Sequence, residues 1–548
     1  MKKKVFALLL CGLPLVLNAQ YAFDVLQMSQ TELRGTSRFQ SMAGAFGALG
    51  GDLSTLTQNP AGIGVYRNSD LGITFGLDFN STKAGVDKMN ETKFNVNNVG
   101  YVGAIRLDSE SVPNLNFGFT YNRLQSFNRH YTGGVADIPT SMSNYIADEF
   151  VNVPGYTDGD LYWTDDFNPY FDGYAPWAAI TTFDMPTRTN GYVGIINAED
   201  GMMKGMYVYD ETGRAITRGN AYYEVDERGH ADEYNIAFGG NIANKVYFGL
   251  DFGILDLDFR SVQSYEEDLT NAYIMADDKD LFTSPMTYQN TTAEWGLYNY
   301  KHTEGTGVNF KLGLIWRPTQ ALRIGAAFHT PTYYDMRDTY YLEAKLKGFK
   351  DANQLYYASK GSNDGYDYSS NYTISTPWRF MGSVAGVIGT SGIVSLDYEY
   401  VANETMRIGD DRGNNYPDAT YDVKTYFKPT HIIRVGGEYR VNPNWSLRAG
   451  YSIKTSQVEA GVDDYDYNIN TSTNNPTYQY DNTVHNITCG VGYKYKAFYT
   501  DLAYVHKIRN SVYNAFSPIN DQYGYEPNVS ADVKDNNNRI SLTLGMRF

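Results

Sequence analysis

The chain has 548 residues, a formal net charge of −17, 15% aromatic residues, 52 glycines and 49 tyrosines. So acidic a balance excludes nucleic-acid binding, which draws its affinity from cations that neutralise phosphates. Only two cysteines are present, one of them in an N-terminal leader, so a disulfide-stapled fold is excluded as well.

The leader, residues 1–19, reads as a secretory signal: Lys2, Lys3 and Lys4, an apolar run from Val5 to Leu17, then Asn18-Ala19-Gln20, with cleavage after Ala19. Leu10 precedes Cys11 where a lipoprotein signal needs a small residue, so lipid attachment is not expected. Cys489 is then the one cysteine of the mature chain. No later stretch has the length of a transmembrane helix. A transmembrane barrel escapes that test, because it spreads its apolar face over alternate residues.

Next comes a glycine- and alanine-rich stretch with few charges, Phe39 to Tyr66. Gly44, Gly47, Gly50 and Gly51 permit close backbone approach. Asp52 and Ser54 are placed to cap a short helical turn. Asn59-Pro60 ends it, because the residue before proline is driven out of the α region. A compact apolar segment ahead of a barrel has the lumen to pack into. Residues 20–68 are therefore expected to form a hatch, and residues 69–548 the barrel.

From Asp70 a period of two marks fourteen strands. The first sets Leu71, Ile73, Phe75, Leu77 and Phe79 against Gly72, Thr74, Gly76, Asp78 and Asn80. The second ends at Leu107, and the third carries Leu115, Phe117, Phe119 and Tyr121. After a long segment without alternation, 125–231, come Tyr234 to Ile242 and then Val246 to Ile254. There the apolar phase slips to Leu255, Leu257 and Phe259, which predicts a β-bulge. Further strands follow at Val308–Trp316, Leu322–Phe328, Trp378–Ile388, Val394–Tyr400, Ile433–Tyr439, Trp445–Ile453, Ile487–Tyr493, Phe498–Tyr504 and Ile540–Phe548.

Connections after residues 107, 243, 316, 388, 441 and 494 are short and alternate strictly with seven long ones, among them 125–231, 260–304, 335–370, 403–427, 458–481 and 510–536. Outer-membrane barrels have short periplasmic turns and longer outer loops. The sequence thus predicts an all-β, fourteen-stranded antiparallel transmembrane β-barrel with both termini periplasmic, in the outer membrane of a Gram-negative bacterium. Alternating Leu544, Met546 and the terminal aromatic Phe548 look like a recognition strand for the barrel assembly machinery. Outer-membrane lipid and lipopolysaccharide surround such a wall.

Enzyme signatures are absent: no H-E-x-x-H, G-x-S-x-G, P-loop or Cys/His cluster occurs. His130, His230, His302, His329, His431, His485 and His506 are scattered over loops and strands. The acidic runs Asp277-Asp278-Lys279-Asp280 and Asp463-Asp464-Tyr465-Asp466 lack the spaced carboxylates and glycine of an EF-hand loop. No catalytic residue, cofactor or metal ligand is assigned. With the aliphatic faces toward lipid, Asp397, Glu399, Arg434, Glu438, Arg440, Arg448 and Lys454 point into the lumen, where cross-strand pairing is expected.

Ser41-Met42-Ala43-Gly44-Ala45-Phe46, Gly51-Asp52 and Asn59-Pro60-Ala61-Gly62, placed just before the first strand, resemble the hatch signature of the FadL/TodX family of outer-membrane transporters for hydrophobic compounds. The resemblance implies uptake of a hydrophobic small molecule, such as a long-chain fatty acid or aromatic hydrocarbon, past a hatch and out through the barrel wall. Asn59, Pro60, Ala61 and Gly62 would set the hatch geometry. Arg34, Arg38, Phe39, Met42, Phe46, Leu49 and Leu53 are the candidate ligand contacts, although Arg34 and Arg38 could equally hold the hatch to lumen carboxylates. Two other readings stand beside this one: a shuttle that binds secreted proteins through its outer loops, and a plain diffusion porin.

Overall fold

In the computed structural model the described residues are 22–548, except 86, 146–194, 198–201, 205, 211, 276–287, 352–353, 363–367, 463–468, 470–475 and 522–523. The leader and both acidic runs lie outside them. Fourteen antiparallel strands close a barrel: β1 (Asp70–Ala84), β2 (Asp87–Arg106), β3 (Asn114–Ala136), β4 (Arg218–Ile242), β5 (Val246–Met275), β6 (Tyr288–Trp316), β7 (Leu322–His329, resuming as Tyr333–Asp351), β8 (Tyr368–Ser375, resuming as Trp378–Ile388), β9 (Gly392–Ala402), β10 (Thr430–Arg440), β11 (Trp445–Lys454), β12 (Tyr478–Tyr495), β13 (Phe498–Asn514) and β14 (Ser530–Arg547). β14 returns to β1, pairing Arg547 with Asp70 and Val533 with Ala84.

The period-two pattern separates a lipid-facing surface from the lumen. Leu71, Leu250, Leu312 and Leu447 are exposed on the outer face and Phe75 is half-buried there, while Asp78, Asp251, Lys311 and Arg448 are buried inside. On β14 the outward residues Ile540, Leu542 and Leu544 are exposed and lead to the exposed Phe548. Eight residue steps of ~3.3 Å, tilted by ~40°, rise about 20 Å, close to the ~25 Å apolar band of such barrels.

Three expectations are corrected. β1 and β2 are not joined by a long loop: Ala84 already pairs with Asp87, and Gly85 between them has φ 59°. Pairing also continues far into the segments read as loops, as in Ala136 with Asn220 and Met275 with Tyr288. Above the lipid band both faces meet water or protein, so the alternation fades while the hydrogen-bond ladder persists. The bulge expected at Leu255 is absent: β5 keeps its register with β4 and β6 through Ile254 and Leu255. The apolar residues there simply move to the inner face, where Leu255, Leu257 and Phe259 are buried against the hatch.

The hatch occupies the lumen. Its helices are α1 (Ala22–Met28), α2 (Ser37–Ser41) and α3 (Thr55–Gln58), and a 3-10 turn runs from Pro60 to Val65. α1 sits toward the long-loop end, with Phe23 packed on Tyr426, Phe427 and Tyr478; Tyr426 ends α4 (Pro417–Tyr426), within segment 403–427. The chain then descends to the short-turn end, where Ser69 and Phe548 exchange main-chain hydrogen bonds of 2.9 and 3.0 Å. Both ends of the barrel lie there, while the first described residues sit high in the lumen. An aromatic cluster of Tyr131, Tyr223, Tyr265, Trp295, Tyr513 and Phe516, joined by Ile138, Met142 and Tyr207 from the loop after β3, fills the space toward the long-loop end.

Candidate functional site

Two arginines anchor the hatch to the wall. Arg34 pairs with Glu32 at 2.7 Å and Asp78 at 3.0 Å, and donates to Asn97 at 3.0 Å. Arg539 also pairs with Asp78, and Lys507 pairs with Glu32 at 2.6 Å. Burial pushes the Glu32 carboxyl up, but Lys507, Arg34 and Arg539 outweigh burial and hold it well below the usual carboxylate range. Arg38 pairs with Glu438 at 2.9 Å, and Arg448 binds the same carboxylate at 2.6 Å. Removing one partner from so buried a network leaves an uncompensated charge and costs about 3–5 kcal/mol.

The Asn59-Pro60-Ala61-Gly62 motif seats the lower hatch. Asn59 is extended (φ −134°, ψ 99°), ending α3 as the proline requires. Its Oδ1 accepts from Ala61 N at 3.1 Å, capping the 3-10 turn, and its Nδ2 donates to Gly47 O at 2.6 Å. Asp52 Oδ1 accepts from Ser54 N at 3.0 Å at the start of the turn that leads into α3, whereas Ser54 makes no side-chain cap. Thr36 Oγ1 also donates to Asp52 at 2.7 Å and Thr36 N to Ser54 Oγ at 2.6 Å, tying two passes of the hatch together. The wall beneath is glycine. A Cβ on Gly313 would collide with Asn59 Oδ1 and stand 2.6 Å from Ala61 N, and one on Gly249 would strike the Pro60 carbonyl.

Among the hatch side chains proposed as ligand contacts, Phe39, Met42, Phe46 and Leu49 form one buried cluster with Ala48 and Ala385. Leu53 belongs to another, with Leu56, Ile63, Tyr66 and Val102. Arg34 and Phe39 line the cavity between the upper hatch and the wall; Arg38, Met42, Phe46, Leu49 and Leu53 do not.

That cavity measures about 260 Å³ and lies between the segment from Leu26 to Arg34 and the wall. Its upper end is apolar, with Leu26, Met28, Phe127, Leu255 and Tyr334. Its sides carry Arg34, Arg123, Arg129, Lys311, Arg379, Arg434, Lys454, Lys507, Arg509 and Arg539 against Glu32, Glu227, Glu233, Glu399 and Asp481. Most of these cations are paired, such as Lys311 with Glu233 at 2.6 Å and Arg379 with Glu399 at 3.3 Å. Lys454 differs: among the described residues its ammonium has no carboxylate within 4 Å, feels Asp481 only at longer range, and donates to Gln30 Oε1. Beside it Arg434 binds Glu399 through Nη2, while its Nη1 is buried without a partner. Asp397 and Glu438 also point inward as the alternation requires, whereas Arg440 is exposed at the short-turn rim.

Beside the cavity the wall has a seam. β7 and β8 are in register up to His329 with Arg379 and resume at Tyr333 with Ser375. Between these points lie Pro331 and Pro377, which have no N–H to give, and the main-chain bond crossing the gap runs from Thr376 N to Thr332 O, 3.0 Å. The Trp378 N–H donates to Thr405 Oγ1 at 3.2 Å. Phe328 stacks on Trp378 (5.2 Å between ring centres) and meets Phe380 at 5.3 Å, covering the adjoining outer face. Sequence reading named Arg434 and Lys454 as lumen-facing but not as a site, and it missed the seam. The proline pair becomes visible only once β7 and β8 are known to be neighbours.

Residues 187–469 match the profile of the outer membrane protein transport protein family (OMPP1/FadL/TodX). The chain belongs to this family. A Pseudomonas aeruginosa FadL homologue is 12% identical, aligns over 95% of this chain and 100% of its own, and superposes with a TM-score of 0.51, a likeness of fold. The toluene transporter TbuX of Ralstonia pickettii is 14% identical (94% of this chain, 99% of that one, TM-score 0.44). The P. putida toluene transporter TodX is 12% identical over the same shares, with a TM-score of 0.41. No curated protein matches. Membership makes the chain an outer-membrane transport protein of the hydrophobic-compound type.

Proposed function

We propose that the chain takes up small hydrophobic molecules bearing an anionic head, such as long-chain carboxylates. The observation that carries this reading is Lys454, a lumen cation without a carboxylate partner among the described residues, beside the unpartnered Nη1 of Arg434 and below an apolar cavity end. A charged hydrogen bond of this kind contributes about 1.5–3 kcal/mol, roughly 10- to 100-fold in affinity. The tail then packs among Leu26, Met28, Phe127 and Leu255. The exit is lateral, through the Pro331–Pro377 seam, where few ladder bonds have to break. The hatch, tied down by Arg34 and Arg38, stays in place and closes the lumen to ions.

The test is binding of palmitate and of hexadecanol to the purified full-length barrel, wild type and Lys454→Met. The variant should lose about tenfold or more in palmitate affinity and keep its hexadecanol affinity. Equal palmitate binding by both proteins would overturn the anionic subsite. If neither probe bound at all, uptake of hydrophobic molecules would be abandoned in favour of protein binding by the outer loops.

A further inference from the structure

Just above the lipid-facing band, the outer face of the barrel carries charge and imidazole in place of aliphatic residues. On β5 the exposed Phe252 and Ile254 give way to the outward Asp256 and Asp258, and on β6 the exposed Phe310 and Val308 give way to Glu304 and His302. Tyr234 and Tyr333, also exposed, mark this level as the girdle where the apolar band meets headgroups. Asp258 and Glu304 are register partners, so two carboxylates stand directly opposite each other. Such a like-charge pair is destabilising unless something neutralises it.

The neutralisation found within the protein is partial. Arg260 approaches Asp258 at 3.5 Å and His302 Nε2 lies 3.2 Å from the same carboxylate. Glu304 has no ion pair among the described residues, although Arg337 is its register partner on β7. One ligand atom from each of Asp258, His302 and Glu304 lies within 4.8 Å of the others. Donors to one ion at ~2.0–2.2 Å stand roughly 3–3.5 Å apart, so small rotations of exposed side chains would close the set around a cation. The strands fix the geometry, because all three residues project from one face of two bonded neighbours.

We propose that Asp258, His302 and Glu304 form a divalent-cation site on the outer wall. The donor set decides the class of ion. An imidazole nitrogen with two carboxylates suits zinc and similar transition ions better than magnesium or calcium, which favour all-oxygen shells. Three protein ligands leave an open position pointing away from the wall, at headgroup level. The ion would neutralise the carboxylate pair and clip β5 to β6 where these strands leave the membrane. Binding needs the Nε2 lone pair of His302 free, with the proton on Nδ1.

The experiment uses the full-length barrel in a phosphate-free detergent, titrated with zinc chloride by calorimetry in the presence of excess magnesium. Wild type should bind one equivalent. Glu304→Gln and His302→Gln should each weaken that binding at least tenfold, while His230→Gln, which alters a nearby imidazole outside the set, should leave it unchanged. Heat-modifiable migration on gels verifies that each variant is folded. Zinc should also raise the unfolding temperature of wild type and not of Glu304→Gln, because a ligand stabilises only the state that binds it. The proposal is overturned if wild type takes up no stoichiometric zinc, if Glu304→Gln binds as wild type does, or if His230→Gln removes the site.

Discussion

Gly313→Ala tests how the hatch is seated. The new methyl group would meet the hatch at the Asn59-Pro60-Ala61 turn, 2.6 Å from Ala61 N and in collision with Asn59 Oδ1. An ordinary contact is ~3.5 Å, so the turn must lift by about 1 Å. Lifting strains the 3.1 Å cap from Ala61 N and the 2.6 Å bond to the Gly47 carbonyl. Overpacking costs about 1–3 kcal/mol and a weakened cap another ~1 kcal/mol. A loss of about 2 kcal/mol from the seated state raises the population of a displaced hatch roughly 30-fold. The barrel ladders are untouched, so heat-modifiable migration should not change. In planar bilayers the variant should show frequent ion-conducting openings, and proteases should cut the hatch faster. The control is Gly382→Ala, where an added Cβ meets nothing within 4 Å. If Gly313→Ala were as closed to ions and as protected as the control, the seat would not hold the hatch.

Acidification should loosen the upper hatch. The Glu32 carboxyl is held well below its usual range in the folded protein, so its contribution is fully present above the unfolded value, ~4.3, and is lost as pH falls through the folded one. Protease sensitivity of residues 22–40 should therefore rise only in strong acid, and Glu32→Gln should show the raised sensitivity already at neutral pH; a hatch equally protected in Glu32→Gln would contradict this. Removing Phe548, whose side chain is exposed and whose main chain bonds to Ser69, should leave export intact while lowering the folded fraction in outer-membrane extracts. An unchanged folded fraction would show that this residue is not an assembly signal.

The wall was legible because lipid imposes a rule on every second residue: Leu250 and Phe252 on one face flank Asp251 on the other, and no tertiary knowledge is needed to see it. Above the membrane that rule lapses. Strand segments such as Asp87–Asn98 and Arg218–Ala231 read as loops because neither of their faces must be apolar there. The phase change at Leu255 was visible, but its cause was not. What looked like an extra residue is a change of surroundings, from lipid outside to α1 inside. In the hatch, Asn59-Pro60 revealed the end of α3 because proline acts locally. The partners of Arg34 and Arg38 were foreseeable only as a class, since Asp78 and Glu438 come from distant strands. Lys454 could be placed in the lumen by parity. That it lacks a carboxylate partner depends on every side chain around it, which no single segment encodes.

The central claim is that the hatch, held in a charged lumen, is what closes this barrel to water-soluble solutes. Its most direct test is the ion conductance of the full-length protein in planar bilayers beside a form lacking residues 20–68, both verified as folded barrels. Wild type should be nearly silent and the shortened form should conduct steadily, because its lumen keeps the inward charges of Lys311, Arg448 and Asp501 but loses the segment that fills it. Equal conductance in the two proteins, whether both silent or both open, would contradict the claim.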